Sequence, residues 1–229
     1  MLETFGPDIW IAHGHNVSAY AGFHYPTRMA IIRLSDGTLF VWSPISLDDD
    51  LRAAVDALGR VRHIVAPNCL HHLFIAEWKA AYRDAIIHAA PGLRKKRTDI
   101  VFDADLSDTP ASDWVNEIDQ LLMTNAITDE IIFFHKKSGT VLFADILQQF
   151  PANWFSGWRA IVAKLDLMVG SEPSVPRKFR IGFTNKRVAR AALQRILAWP
   201  SEKVLIAHGA PVTTGGKAFL ARAFRWLNA

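Results

Sequence analysis

Ile64-Val65-Ala66-Pro67-Asn68-Cys69-Leu70-His71-His72 is a short apolar strand that stops at a proline and delivers two adjacent imidazoles to the start of a helical pattern. Two further segments have the same shape. Val141-Leu142-Phe143-Ala144-Asp145 and Val204-Leu205-Ile206-Ala207-His208-Gly209 each set one ligand-type residue just past an apolar strand. Strand ends carrying His-His, Asp and His make a nitrogen and oxygen donor set suited to zinc or another first-row divalent metal. His71, His72, Asp145 and His208 are therefore the candidate metal ligands. The bland alternative is that the two adjacent histidines cap or hydrogen-bond near the helix start.

Outward from these segments, strands and helices alternate. Asp36-Gly37 between the apolar runs Met29 to Leu34 and Thr38 to Trp42 predicts a hairpin. Leu47 to Leu58 reads as a helix with Asp48, Asp49 and Asp50 at its positive end. A second helix is expected from His71 or His72 to about Tyr82, then a strand over Ala85 to Ala90 and a basic loop from Arg94 to Arg97. Further strands fit Trp114 to Met123, Glu130 to His135 and Thr140 to Ala144. A helix near Trp158 to Leu165 and a loop at Pro173 and Pro176 come next. Asn185 is a good N-cap for a helix that stops before Pro200, and Lys203 to Ala207 is the last strand before a closing helix from Lys217. Hairpins mixed with helical crossovers in two sets predict two packed sheets with helices outside.

The 229 residues are half hydrophobic with a net charge of +4, which excludes disorder and favours one domain over 1–229. A single cysteine, Cys69, excludes an intramolecular disulfide framework and makes a reducing compartment, the cytoplasm, the default expectation. No basic leader opens the chain and no run of about 18 uncharged apolar residues occurs, so neither a secretory signal nor a membrane span is expected. Beyond Leu167 the only acids are Glu172 and Glu202 against many lysines and arginines. That basic part lacks a recognition motif, so nucleic acid is not the expected partner, and a small molecule is. Membrane partners are not expected either.

Order and spacing together resemble the metallo-β-lactamase-like superfamily. Its signature is a strand followed by His-x-His-x-Asp-His, then a third His, a strand ending in Asp and a strand ending in His. The resemblance runs from about Ile9 to the end. Arg28-Met29, Trp42-Ser43-Pro44, Ala66-Pro67-Asn68, His71-His72, Phe133-Phe134-His135 and Ala207-His208-Gly209 are similar to an uncharacterised bacterial branch, a domain of unknown function. The resemblance implies a four-layer αββα sandwich with its metals between the two sheets at one edge, and mostly hydrolytic chemistry. If His72 is set on the last His of the signature, His71 stands at its Asp, and Pro67 and Cys69 stand at the two spaced histidines. No His precedes Ile131, where Asn125 is the nearest polar residue, and Ser43-Pro44 replaces the family's Asp-x-Gly. This pattern implies half a site with one divalent metal, zinc by ligand type.

The implied reaction is metal-dependent hydrolysis of an ester, lactone, thioester or phosphoester, with Asp145 holding the metal or its water and Asn68 able to donate to an oxyanion. The competing reading is a fold-degenerate binding or structural protein that keeps the pocket without the chemistry. His13, His15 and His135 read as turn residues, and Cys69 as a small buried thiol.

Overall fold

A computed structural model of the chain describes residues 1–228. Its larger sheet has seven strands in sequence order: β1 (Glu3–Gly6), β2 (Ile9–Ser18), β3 (His24–Arg33), β4 (Thr38–Trp42), β5 (Arg60–Ala66), β6 (Ile86–Ala89) and β7 (Ala104–Asp105). The first four pair antiparallel, and β4 through β7 pair parallel. Connections explain the change, because tight turns serve antiparallel neighbours whereas parallel neighbours need a crossover. Helices α1 (Asp49–Asp56), α2 (Ile75–Ala81) and α3 (Leu93–Lys96) lie in those crossovers.

The smaller sheet runs β11-β10-β9-β8, from β8 (Ile118–Met123), β9 (Glu130–His135), β10 (Thr140–Gln148) and β11 (Lys203–His208). Between β10 and its parallel neighbour β11 lie α4 (Trp158–Leu165), α5 (Arg177–Gly182) and α6 (Lys186–Ala198), and α7 (Gly216–Ala223) follows β11.

Period-two alternation makes the layers. In β4, Leu39 and Val41 join the core beneath α1 and α2, whereas Phe40 and Trp42 face the second sheet. In β10, Val141 and Phe143 join the core under α6 and α7, whereas Leu142 and Ala144 face the first sheet. Both strands are apolar on both faces because each sheet is covered on both sides. The result is the αββα sandwich expected from the sequence.

Local signals hold where side chains make them. Gly37 takes φ 81° in the β3–β4 hairpin, where Asp36 Oδ1 accepts from the Thr38 N–H at 2.9 Å. Asp48 caps α1 through Leu51, and Asn185 caps α6 through Val188. Three expectations need correction. The second helix begins at Ile75 rather than at His71 or His72, because Asn68 Oδ1 takes the N–H groups of Leu70 and His71 and turns the chain first. The basic loop at Arg94 contains one helical turn, α3, held by Arg94 on Asp105 and on the Phe102 carbonyl. Strand β10 continues past Ala144 to Gln148, so Asp145 lies within it.

Buried histidines away from any cluster of ligands give the fold a pH dependence. His63 on β5 and His88 on β6 meet at 3.1 Å against Trp114, and His135 bonds Ser138 Oγ at 2.8 Å. Burial pushes all three down to about 4. Below their ordinary value of about 6.5 the unfolded chain binds protons that the folded chain does not, so stability falls as pH drops from there toward 4. The expected loss is on the order of a few kcal/mol. Urea midpoints of chelator-treated protein should fall between pH 7 and pH 5 and fall less in His135→Gln; a flat profile would contradict this reading.

Candidate metal centre

Residues from the turn after β5, from within β10 and from the end of β11 converge between the sheets. His71 follows β5 by a turn, Asp145 stands in β10, and His208 ends β11. One nitrogen or oxygen of each lies within 4.8 Å of the others. His71 Nε2 is 3.2 Å from Asp145 Oδ2, and His208 Nε2 is 3.4 Å from Asp145 Oδ1.

The far side of each ring fixes its tautomer. His208 Nδ1 lies 2.7 Å from the Pro26 carbonyl, which can only accept, so this nitrogen carries the proton. Ser43 Oγ donates to the Arg28 carbonyl at 3.1 Å and stands 2.7 Å from His71 Nδ1, so it accepts from the ring. The two Nε2 atoms then meet the two oxygens of one buried carboxylate at 3.2 and 3.4 Å. Lone pairs facing a carboxylate repel unless a proton or a cation lies between them. Burial alone would raise the Asp145 carboxyl, but positive charge and N–H donation from His71 and His208 hold it well below the usual carboxylate range, a role that a cation held between them would take over. Gln148 adds a buried Oε1 with no partner among the described residues, while its Nε2 lies 3.4 Å from Asp145 Oδ1. Three ligand-type side chains around one buried carboxylate and an orphaned acceptor beside them fit a divalent cation.

Backbone devices hold the rings. Ser43 sits at φ 52°, a left-handed conformation that a non-glycine residue adopts under constraint, and its N–H bonds the Val65 carbonyl. Gly209 at φ 137° follows His208, and a Cβ there would come within 2.3 Å of the Gln149 carbonyl. The buried Arg28 guanidinium reaches from β3 to donate to the Ile206 and Gly209 carbonyls at 2.5 Å, tying the first sheet to the strand that carries His208.

Behind Asp145 stands a second buried carboxylate that sequence reasoning missed. Glu130, at the head of β9, accepts from the N–H groups of Ala144, Asp145 and Ile146 and from the Asn68 amide. The same Asn68 nitrogen reaches Asp145 Oδ2 at 2.8 Å. Burial and the nearby Asp145 charge push Glu130 up to about 7, against the pull of these donors. The only signal for it was a lone acid opening an otherwise apolar strand, Glu130-Ile131-Ile132-Phe133-Phe134.

Two assignments from the sequence are corrected. His72 lies outside the cluster: its Nδ1 faces an Arg97 guanidinium nitrogen at 3.0 Å, because successive residues of a turn point apart and only His71 faces Asp145. Asn68 is fully buried with its amide engaged by Glu130 and Asp145 and its oxygen by backbone, so nothing remains to donate to an oxyanion. Cys69 Sγ bonds the Pro91 carbonyl, with burial pushing the thiol up, and Asn125 braces the Phe179 carbonyl.

The three residues open onto a cavity of about 380 Å³. Val17, Leu73, Phe74, Ile127 and Phe179 supply apolar walls, and Lys178 is the cation that lines it.

Residues 15–163 match the model of a family described as a domain of unknown function, DUF4336. The chain belongs to this family. No curated protein matches this DUF4336 member. Among solved structures it resembles a metallo-β-lactamase from Pontibacter korlensis at 10% identity and TM-score 0.63, covering 100% of this chain and 98% of that one. FIM-1 from Pseudomonas aeruginosa, solved in a mono-zinc form, matches at 12% identity and TM-score 0.63 over 100% and 94%. The flavodiiron core of Flv1 from Synechocystis matches at 10% identity and TM-score 0.66, over 100% of this chain and 60% of that one. At such identities the likeness establishes the fold, which is metallo-β-lactamase-like.

Proposed function

We propose that this chain is a metal-dependent hydrolase, working as one domain with one divalent cation, zinc by donor type, held by His71, Asp145 and His208. The observation that carries the reading is the convergence of one ligand atom each from His71, Asp145 and His208 within 4.8 Å of one another, each ring braced from behind by Ser43 or Pro26. A cation held there would supply Lewis acidity and a water of lowered pKa. The remaining residues do the rest. His71 and His208 orient through their braced Nδ1 atoms, Asp145 balances charge, and the cavity leaves one side open, as catalytic rather than structural sites do.

Apolar walls with Lys178 on one side suit an ester, lactone, thioester or phosphoester that has an apolar part and an anionic or strongly polar one. Zinc-loaded protein should hydrolyse at least one of four chromogenic probes, one from each class, and chelation or Asp145→Ala should return the rate to background. A zinc-loaded chain no faster than Asp145→Ala on all four would instead support the binding-protein reading.

A further inference from the structure

Helix α4 is built inside out for a water-facing surface. Its sequence, Trp158-Arg159-Ala160-Ile161-Val162-Ala163-Lys164-Leu165, buries Ala163 against Phe150, Phe155 and Met168, with Ala160 packed beside it. The large apolar residues face outward: Trp158 is 52% exposed, Ile161 63%, Val162 41% and Leu165 60%. Their spacing, i, i+3, i+4 and i+7, is the stripe a helix normally turns toward a core. Here it is turned to solvent. Ile181 of α5, 80% exposed, is a further large apolar residue on the adjoining helix. Isolated exposed apolar residues need no explanation, but a complete helical stripe does.

Charge identifies what covers it. Neither α4 nor α5 contains an acid, whereas together they carry Arg159, Lys164, Arg177, Lys178 and Arg180. The segment between them holds two acids, both paired: Asp166 is engaged by the Lys178 ammonium at 3.5 Å and by its N–H, and Glu172 by Arg222 at 3.0 Å. The guanidinium of Arg159 lies 4.9 Å over the Trp158 ring, setting a cation at the edge of the apolar stripe. An apolar stripe with a tryptophan at one end and cations beside it is the pattern of a helix lying in the plane of an anionic bilayer surface, its apolar face in the acyl boundary and its cations on the headgroups.

We propose that α4, with the adjoining face of α5, docks this protein peripherally on membranes that contain anionic phospholipid. This revises the sequence expectation of no membrane partner without adding a span, since no helix among the described residues is long and apolar enough to cross a membrane. Docking stands apart from the metal centre, although Lys178 of α5 also lines the cavity.

The test is co-sedimentation of the full chain with vesicles of phosphatidylcholine alone or of equal parts phosphatidylcholine and phosphatidylglycerol. Binding to the mixed vesicles, weakened by salt and much weaker on the neutral ones, is expected. The double variant Ile161→Glu/Leu165→Glu alters exposed positions only, so circular dichroism should be unchanged, while its partition coefficient should drop about tenfold or more. Lys164→Glu/Arg177→Glu should lose the preference for phosphatidylglycerol. No binding to the mixed vesicles at low salt, or binding untouched by Ile161→Glu/Leu165→Glu, would overturn the proposal. So would sedimentation analysis that finds a dimer which this variant dissociates, since the stripe would then belong to a second copy of the chain.

Discussion

Alanine at Asp145 is expected to abolish measurable zinc binding, and serine removal behind the first ring should be the milder lesion. Asp145 contributes the only negative charge of the three candidate ligands and faces both Nε2 atoms. Ser43 touches only the back of His71. Losing a residue that orients a ligand typically weakens metal affinity roughly 10–100-fold, so Ser43→Ala should fall in that range. Asp145→Ala should exceed it, because two neutral imidazoles remain to hold a dication. Competition with a chromogenic chelator measures both variants on one scale. If Asp145→Ala bound zinc as well as Ser43→Ala, the carboxylate would not be a ligand.

The largest stability effect is expected at Glu130. Its carboxylate is the acceptor for three consecutive backbone N–H groups of β10 and for the Asn68 amide, all away from water. Glu130→Ala leaves these donors without partners and opens a cavity, which should destabilise by on the order of 4 kcal/mol or more. Glu130→Gln keeps one oxygen, which can serve the three donors that now meet Oε2. Its new NH₂ opposes the Ala144 N–H, so the loss should be smaller, roughly 1–2 kcal/mol. Urea unfolding of both variants checks the order. Equal, small losses would mean that β10 finds other partners for its N–H groups.

These two residues mark what was legible in the sequence. The layers were, because alternation along β4, β9, β10 and β11 assigns each side chain to one of two faces, and Asp36-Gly37 and Asn185 are local signals that need no tertiary context. Asp145 and His208 were visible as polar residues ending apolar runs, although β10 carries on past Asp145 to Gln148. The choice between His71 and His72 was not, since it depends on the turn that Asn68 imposes through two backbone N–H groups. Asn68 itself reads as a turn or cap from sequence, and only its burial between two carboxylates excludes it from contact with a substrate. Glu130 was hidden because a carboxylate that replaces a strand neighbour has no sequence motif; it serves the part of β10 where the β9 ladder has ended at Leu142 and the β11 register is irregular between Phe143 and Gln148. The outward stripe of α4 has ordinary helical periodicity, and sequence periodicity does not say which face meets the protein.

Zinc stoichiometry tests the central claim most directly. Titration of untagged, chelator-stripped protein by calorimetry, with elemental analysis of the product, should give one zinc per chain, lost in Asp145→Ala. Two tightly held zinc ions per chain, or none, would contradict a single centre built from His71, Asp145 and His208.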